Sequence, residues 1–296
     1  MGGSAGVPAT FAEARGRAQR TIALEGAEVN PVCHTRLLDH GEVTPFAVVF
    51  LHGFTNCPQQ FDALAQQYFD AGCNVLVPRY PYHGLADRLN RDQGRLRTSA
   101  LLRLAEESVD IAGGLGRRVV VVGLSLGGVL AGWLAQRRGD VDLAVMIAPL
   151  LWTPLLPDPL RVPVGALART LPSAFLWWDP RLREALEPPY GYPRFATRGF
   201  GAMLGVGHGL LADARREPPR AGAVVVVTNA ADPGVDNPVT ARLVQTWRGH
   251  GARIVTFEFA ADLGLPHDLI DPGNPEANIG LVYPRLRELI SERVAT

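Results

Sequence analysis

A serine flanked by glycines, directly after a run of valines, constrains this chain more than any other feature. Val119–Val122 has the β-branched composition of a buried strand, and Gly123-Leu124-Ser125-Leu126-Gly127-Gly128 follows it without a spacer. The apolar residues beyond it, up to Ala135, are typical of a helix packed on that strand. The motif G-x-S-x-G between a strand and a helix places the serine hydroxyl on a sharp turn, where it can act as a nucleophile. A dinucleotide-binding loop needs G-x-G-x-x-G, and Ser125 occupies the wrong place for that pattern.

Apolar strands alternate with helices along much of the chain. Further strands are predicted at Phe46–Leu51, Asn74–Pro78, Leu143–Ile147, Ala223–Thr228 and Arg253–Phe259. Helices are predicted near Phe11–Gln19, Phe61–Tyr68, Leu101–Ala112, Pro238–Trp247 and from Pro284 onward, with an early edge strand within Thr21–Glu42. Because the strands are apolar without alternation, we expect both faces of the sheet to be covered. The pattern predicts an α/β fold with a mostly parallel central sheet flanked by helices.

The alternation stops between Pro149 and about Pro219. Prolines and aromatic side chains are frequent there, no strand is evident, and prolines limit the length of helices. The composition therefore predicts an inserted, mainly helical cap of short helices and loops. The predicted units are a flexible N-terminal tail (1–20), a core (21–149 and 220–296) and the cap (150–219).

A serine hydroxyl needs a general base. The order of the strands indicates which histidines lie on the same sheet edge as the serine. Catalytic groups of a parallel sheet lie in the loops that follow its strands. His267 follows the Arg253–Phe259 strand and so lies on the same sheet edge as Ser125, whereas His250 precedes that strand. We therefore predict that His267 is the base.

The base needs a carboxylate that orients it and stabilises its protonated form. Asp232 follows the Ala223–Thr228 strand, and the turn-forming Pro233-Gly234 beside it could aim its side chain inward. Asp236 is the alternative, although it stands where it could cap the next helix. Asp268, beside the histidine, is expected to be solvated or structural. Asp232 is the predicted acid.

Acyl transfer passes through an oxyanion, which preorganised backbone N–H groups stabilise. Leu126, directly after the serine, supplies one predicted donor, and Phe54, in the loop after Phe46–Leu51, supplies the other. Side chains of the adjoining loops and of the insertion are candidates for a substrate pocket. The alternative for the aromatic ones is that they anchor the insertion to the core. The pocket candidates are His52, Thr55, His83, Trp152, Trp177, Trp178 and His208.

Charge and cysteine content restrict the partners. Lys and Arg number 29, as do Asp and Glu, so bulk charge gives no reason to expect a nucleic-acid partner. No apolar run reaches the length of a membrane span, and no signal peptide is evident. The three cysteines lack C-x-x-C spacing, which argues against a zinc site or a disulfide framework but leaves a single disulfide open. These features predict a cytoplasmic protein with no metal site and no stable membrane insertion.

His52-Gly53-Phe54, the serine motif, Asp232 and His267 together resemble the α/β-hydrolase fold family, whose members carry Ser, Asp and His in this order. The serine motif and His-Gly-Phe are most similar to the branch of bacterial carboxylesterases and monoacylglycerol lipases. The resemblance covers roughly residues 45–150 and 220–293, with the insertion as the family's variable cap. It implies an α/β-hydrolase fold and a carboxylic-ester hydrolase that forms an acyl-serine intermediate without a cofactor. Since several members are dimers, it also leaves a homodimer open.

The predicted activity is hydrolysis of carboxylic esters with short- to medium-chain acyl groups, and the predicted partner is a small-molecule ester. A lipase or monoacylglycerol lipase acting at interfaces would use the same residues, as would an amidase, a thioesterase or an acyltransferase. A ligand-binding module that keeps the fold without catalysis is the non-enzymatic alternative, because a fold alone does not guarantee a function.

Overall fold

The computed structural model describes Gly6 and residues 8–154, 157, 160–178 and 189–294. Its strands are β1 (Arg36–Leu38), β2 (Thr44–Leu51), β3 (Asn74–Val77), β4 (Gly116–Leu124), β5 (Leu143–Ile147), β6 (Phe175–Trp177), β7 (Arg194–Ala196), β8 (Ala223–Asn229) and β9 (Ile254–Phe259). Its α-helices are α1 (Phe11–Ala23), α2 (Asp62–Asp70), α3 (Thr98–Leu115), α4 (Leu126–Arg137), α5 (Arg161–Thr170), α6 (Thr197–Ala214), α7 (Asn237–Gly249) and α8 (Ile279–Val294).

Within these residues, seven strands form one central sheet in the order β1-β3-β2-β4-β5-β8-β9. β1 runs antiparallel to β3 at one edge, and every other neighbouring pair is parallel. The register pairs Leu51 with Gly123 and Leu124 with Ile147, so β2, β4 and β5 end level with one another just before Ser125. The predicted α/β fold with a mostly parallel sheet is confirmed.

The valine run of β4 explains why these strands lack polar alternation. Val119 and Val121 pack into a core shared with α1, α3, α4, α6 and α7. Val120 and Val122 pack into a second core with α2 and α8 on the other face. Because successive side chains of a strand point to opposite faces, a strand covered on both sides must be apolar throughout.

The N-terminal helix α1, which precedes the sheet, packs against the core. The predicted helix at Phe11–Gln19 extends to Ala23, and the Thr10 side chain caps it by accepting from the Glu13 N–H group. Ala14 and Ala18 are fully buried in the core that includes α3. The prediction of a flexible tail over residues 1–20 is therefore wrong from Phe11 onward, because two small side chains let α1 approach α3 closely. Residues 1–5 and 7 lie outside the described residues.

The segment between β5 and β8 contains α5, β6, β7 and α6. β6 and β7 pair as an antiparallel ribbon, so the prediction that no strand occurs here is wrong. Three residues per strand are too few to show alternation in the sequence. α6 runs for 18 residues because the prolines nearest to it, Pro193 and Pro218, lie outside it. It packs on α3 and α4 as well as α5, so the insertion shares its core with the sheet.

Cys33 and Cys57 form a disulfide across a separation of 24 residues, and both are buried. The bond joins a short 3₁₀ turn, Pro31–Cys33, to the loop that follows β2. The single disulfide that the sequence left open is thus present, while Cys73 is free. Since disulfides are rare in the cytosol, this bond removes the support that cysteine content gave to the prediction of a cytoplasmic protein.

Replacing both Cys33 and Cys57 by alanine should lower the free energy of unfolding by about 3 kcal/mol, since the bond restricts a loop of this length in the unfolded chain. Urea unfolding of the wild type and the double variant measures the difference. Cys73→Ala, which removes only the free and half-buried thiol, is the control. Equal unfolding midpoints for the wild type and the double variant would contradict the prediction.

Candidate active site

Ser125 occupies a strained turn between β4 and α4. Its backbone angles are φ 58° and ψ −113°, a region that non-glycine residues rarely adopt. A side chain on Gly127 would overlap the Leu51 carbonyl oxygen, and one on Gly123 would overlap the Gly127 carbonyl oxygen. The Ser125 N–H group donates to the Ile147 carbonyl (2.9 Å), which ties the turn to β5. The strand–turn–helix context predicted for the serine motif is therefore present.

Asp232 and His267 are hydrogen-bonded to each other. Asp232 lies in the loop after β8, and its Oδ2 is 2.5 Å from His267 Nδ1, while its Oδ1 accepts from the Gly234 N–H group (2.8 Å). The Asp232 side chain is 1% exposed and the His267 side chain 33%, so the carboxylate is buried while the imidazole stays accessible. Asp236 instead caps α7, accepting from the Val239 N–H group (3.1 Å). Of the two acids that the sequence proposed, Asp232 is the one that bonds to His267.

The charges around His267 favour its protonated form. Burial acts to lower the pKa of His267, but the hydrogen bond to Asp232 and the charges of Asp232 and Asp268 outweigh it and raise the pKa above its usual value. A carboxylate on Nδ1 also fixes the tautomer, because Nδ1 must carry the proton and Nε2 is left as the acceptor. The arrangement suits an imidazole that takes up a proton at Nε2 and is stabilised as a cation.

The pKa of His267 predicts the acid limb of any reaction that uses it as a base. Only the unprotonated ring can accept a proton, so kcat/KM should fall as the pH drops through a midpoint above about 6.5, the ordinary histidine value. Asp232→Asn should move this midpoint to lower pH, because the hydrogen bond and charge of Asp232 then no longer oppose the effect of burial on the pKa of His267. A profile of kcat/KM against pH for both proteins measures this. An acid limb at or below the ordinary histidine pKa in the wild type would contradict the assignment.

The loop after β2 presents the Phe54 N–H group beside Ser125. The Gly53 carbonyl accepts from His52 Nδ1 (2.9 Å). This carbonyl and the Phe54 N–H group belong to the same peptide, and in a trans peptide the two point in opposite directions. The bond from His52 therefore also fixes the direction of the Phe54 N–H group. The Ser125 Cβ lies 3.8 Å from where a Cβ on Gly53 would stand. Across the described part of the chain, the Phe54 and Leu126 N–H groups donate to no protein acceptor. Both groups are therefore available to a substrate oxygen.

His52 and His83 are fully buried and hold these loops in place. His52 Nδ1–H donates to the Gly53 carbonyl, and Nε2 accepts from the Tyr80 N–H group (3.3 Å). Burial lowers the pKa of His52 well below its usual value, and it lowers that of His83, whose Nδ1–H donates to the Pro81 carbonyl (2.9 Å), to about 4. Both rings are neutral near neutral pH. With no exposed surface, they shape the loops instead of lining a substrate pocket as predicted.

Thr55 joins the same loop to the inserted segment. Its φ of 69° is unusual for a β-branched residue. Its carbonyl accepts from the Tyr192 N–H group (2.7 Å), and its hydroxyl accepts from Trp178 Nε1–H (3.0 Å). The Phe54 ring contacts the rings of Trp178 and Phe195, with centroids 6.5 and 6.4 Å apart. Thr55 and Trp178 thus lie next to Phe54, and their role in a substrate pocket stays a prediction.

The other predicted pocket residues are placed differently. Trp152 is fully buried, and its carbonyl accepts from the Asp236 N–H group (3.0 Å), which fits the anchoring alternative. Trp177 lies on β6 opposite Arg194 and is half-buried. His208 is exposed on α6, because Val206, Gly207 and Leu210 take the buried face of that helix. The predicted pocket role of His208 is therefore not supported.

A buried polar cluster beside His267 is the part of the site that sequence reasoning missed. Asp268 Oδ2 accepts from Gln60 Nε2 (2.7 Å) and Asn56 Nδ2 (3.1 Å). Asp271 Oδ1 accepts from the Tyr190 hydroxyl (2.6 Å). Of the two expectations for Asp268, solvated or structural, the structural one is correct. The only local signal was the presence of polar residues close behind His-Gly-Phe-Thr, at the start of an apolar helix.

Comparison with known proteins identifies the family. A model of the alpha/beta hydrolase family matches residues 48–276, and the chain belongs to that family. A region of 102 residues is 31% identical to the thermostable monoacylglycerol lipase of Bacillus sp. (strain H-257). It covers 34% of this chain and 40% of that relative, so this chain matches less than half of the relative's length.

Solved structures agree with the fold. One from the metagenome-derived lipolytic enzymes LipS and LipT is 18% identical, with a TM-score of 0.68 over 89% of this chain and 99% of that chain. The monoacylglycerol lipase of Paleococcus ferrophilus is also 18% identical, with a TM-score of 0.66 over 88% and 98%. At this identity the likeness establishes the α/β-hydrolase fold, and the site must be argued from its own residues.

Proposed function

We propose that this protein is a serine hydrolase that cleaves carboxylic esters through an acyl-serine intermediate. The observation that carries the proposal is the pairing of a strained serine at the carboxyl end of β4 with a hydrogen-bonded Asp232–His267 pair on the same sheet edge. Family membership and lipolytic relatives support ester hydrolysis as the reaction class.

In the proposed first step, His267 Nε2 takes the proton of Ser125 Oγ as that oxygen attacks the ester carbonyl carbon. The carbonyl π electrons move to oxygen, and the Phe54 and Leu126 N–H groups donate to this oxyanion. Asp232 stabilises the imidazolium that forms. The tetrahedral intermediate collapses when His267 gives its proton to the leaving alkoxide, which departs as an alcohol and leaves the acyl group on Ser125.

The second half of the reaction repeats this chemistry with water. His267 removes a proton from a water molecule as its oxygen attacks the acyl carbon, and the same N–H groups bind the second oxyanion. Collapse returns the proton to Ser125 Oγ and releases the carboxylic acid. Serine, imidazole, carboxylate and backbone N–H groups supply every role, so the proposed reaction needs no cofactor.

The proposed substrate is a small-molecule ester with a short to medium acyl chain. The side of the site that faces the inserted segment is aromatic, since the ring of Phe54 contacts Trp178 and Phe195, which also contact each other. Such a wall binds apolar acyl or alcohol groups. The same residues would serve an amidase, a thioesterase or an acyltransferase, and a comparison of substrates distinguishes these.

A lipase that acts at interfaces is the second candidate, and exposed apolar side chains in the inserted segment favour it. Leu160, Val162, Leu167, Leu171, Leu176 and Trp178 are each between 43% and 57% exposed. Exposed apolar side chains in this segment can contact aggregated substrate. No helix among the described residues is long and apolar enough to cross a membrane.

Hydrolysis of p-nitrophenyl esters from acetate to palmitate tests the proposal, with the wild type and Ser125→Ala measured side by side. Serine-dependent activity that peaks at short to medium chains supports the esterase. A long-chain optimum, with a rate that jumps when the substrate exceeds its solubility, supports the interfacial lipase. No hydrolysis at any chain length would count against both and favour a ligand-binding role.

Two further predictions concern the cellular location of the protein and its oligomeric state. The cytoplasmic location is not part of the proposal, because a buried Cys33–Cys57 disulfide is more typical of an oxidising compartment. The homodimer that the resemblance leaves open stays untested, and light scattering on the purified protein tests it.

A further inference from the structure

Buried hydrogen bonds connect the loop that carries His267 to the loop that carries Phe54. Asp268 directly follows His267, and its Oδ2 accepts from Gln60 Nε2 (2.7 Å). Gln60 Oε1 accepts from the Gly53 N–H group (2.7 Å), directly before the predicted oxyanion donor. Gln60 is 2% exposed and Asp268 is half-buried, so the Gln60 amide that joins them is shielded from water. The two loops are 208 residues apart in sequence at this contact.

The chemistry of the two partners fixes the orientation of the Gln60 amide. The Gly53 N–H group can only donate, so the oxygen of the amide must face it, and the NH₂ group must then face Asp268. A carboxylate oxygen can accept from NH₂ but offers nothing to the amide oxygen. Asp268 thereby holds Gln60 in the one orientation that binds Gly53.

Asp268 keeps this function in either protonation state. Burial raises the pKa of Asp268 to about 7, and the charge of Asp271 adds to the rise. Its Oδ1 has no partner among the described residues, so a proton taken up by the carboxyl is best placed there. Oδ2 remains an acceptor for Gln60 with or without that proton. An asparagine, whose amide oxygen can occupy the Oδ2 position, resembles the neutral form.

We propose that Asp268 and Gln60 act together as positioning residues, holding the backbone at Gly53, and with it the adjoining Phe54 N–H group, in a fixed place relative to His267. The inference rests on the proposed ester hydrolysis, in which the Phe54 N–H group stabilises the oxyanion while His267 transfers the proton. Both groups must be aligned in the same transition state, and a bridge between their loops aligns them before substrate binds. Neither Asp268 nor Gln60 touches the reacting atoms.

The test compares kcat and KM for a p-nitrophenyl ester in four variants. Asp268→Ala and Gln60→Met remove the two bridging groups, the second with its volume kept. The double variant and Asp268→Asn complete the set. Asp142→Ala is the matched control, because it removes a carboxylate that accepts from Val119 N–H (2.7 Å) and Arg118 Nε (3.3 Å) at the opposite sheet edge.

Each bridging variant should lower kcat by about tenfold to hundredfold with KM nearly unchanged, since a displaced oxyanion donor is lost mainly in the transition state. The kcat of the double variant should be no lower than that of the less active single variant, because both changes break the same bridge. Asp268→Asn should restore kcat to within about fivefold of the wild type, because its amide oxygen still accepts from Gln60. Additive losses, or a wild-type kcat in Asp268→Ala and Gln60→Met, would overturn the proposal.

Hydrogen exchange of a peptide spanning residues 52–61 gives a readout that does not depend on activity. Exchange there should be faster in Asp268→Ala and Gln60→Met than in the wild type, and unchanged in Asp142→Ala. Unchanged exchange in both bridging variants would also overturn the proposal. If the wild-type protein showed no serine-dependent hydrolysis, the proposed function would be contradicted instead. Hydrogen exchange would then still show whether the bridge holds the loop that carries Phe54. Asp268→Asn and Gln60→Met keep the test available if Asp268→Ala does not fold.

Discussion

Ser125→Ala is expected to lower kcat/KM for ester hydrolysis by about 10⁴- to 10⁶-fold. The variant lacks the oxygen that forms the acyl intermediate, and the remaining rate comes from substrate binding and the N–H donors alone. The fold should persist, because the Ser125 side chain does not cap α4 and the turn is held by backbone hydrogen bonds and glycine packing.

Ser108→Ala is the matched control for that experiment. Ser108 is also buried, at 3% exposed, and its hydroxyl donates to the Leu104 carbonyl within α3. Its loss should leave kcat/KM within about twofold, since it removes one hydrogen bond inside a helix. If Ser125→Ala retained the activity of this control, Ser125 would not be the nucleophile.

Asp232→Asn is expected to lower kcat by about 10⁴-fold while the protein stays folded. An asparagine can turn its NH₂ group toward His267 Nδ1, which then becomes the acceptor and leaves the proton on Nε2. In that tautomer the ring cannot take the proton of Ser125. The loss of the negative charge also removes the stabilisation of the imidazolium.

Asp236→Asn distinguishes the two acids that the sequence proposed. Asparagine caps a helix about as well as aspartate, so α7 should keep its cap and kcat should stay near the wild-type value. Rates of p-nitrophenyl ester hydrolysis and thermal unfolding of both variants measure these outcomes. A large loss in Asp236→Asn with a small loss in Asp232→Asn would reverse the assignment.

The fold was predictable because its signals are local. The valine run before Ser125 and the apolar strands on either side can form buried parallel strands and little else. In a parallel sheet, the loops that follow strands lie at one edge and the loops that precede them at the other. This rule alone selected His267 over His250 as the predicted base. Asp232 was harder, since Asp236 satisfies the same rule, and the deciding fact is a contact across 35 residues.

The parts that could not be predicted depend on contacts without a local pattern. Cys33 and Cys57 pair across 24 residues, and Gln60 meets Asp268 across 208. Nothing in the spacing of these residues indicates a bond, because the tertiary fold brings them together. His52 and His83 lie in the expected loops, yet only the structure shows that both rings are buried and hydrogen-bonded to backbone groups, His52 through both nitrogens and His83 through Nδ1.

Labelling with a fluorophosphonate, followed by mass spectrometry of the peptides, tests the central claim most directly. The probe phosphonylates a serine that an adjacent base activates far faster than an ordinary serine. We expect one adduct, on the peptide that contains Ser125, which disappears in Ser125→Ala and persists in Ser108→Ala. A folded wild-type protein that takes up no label, or takes it up at another serine, would contradict it.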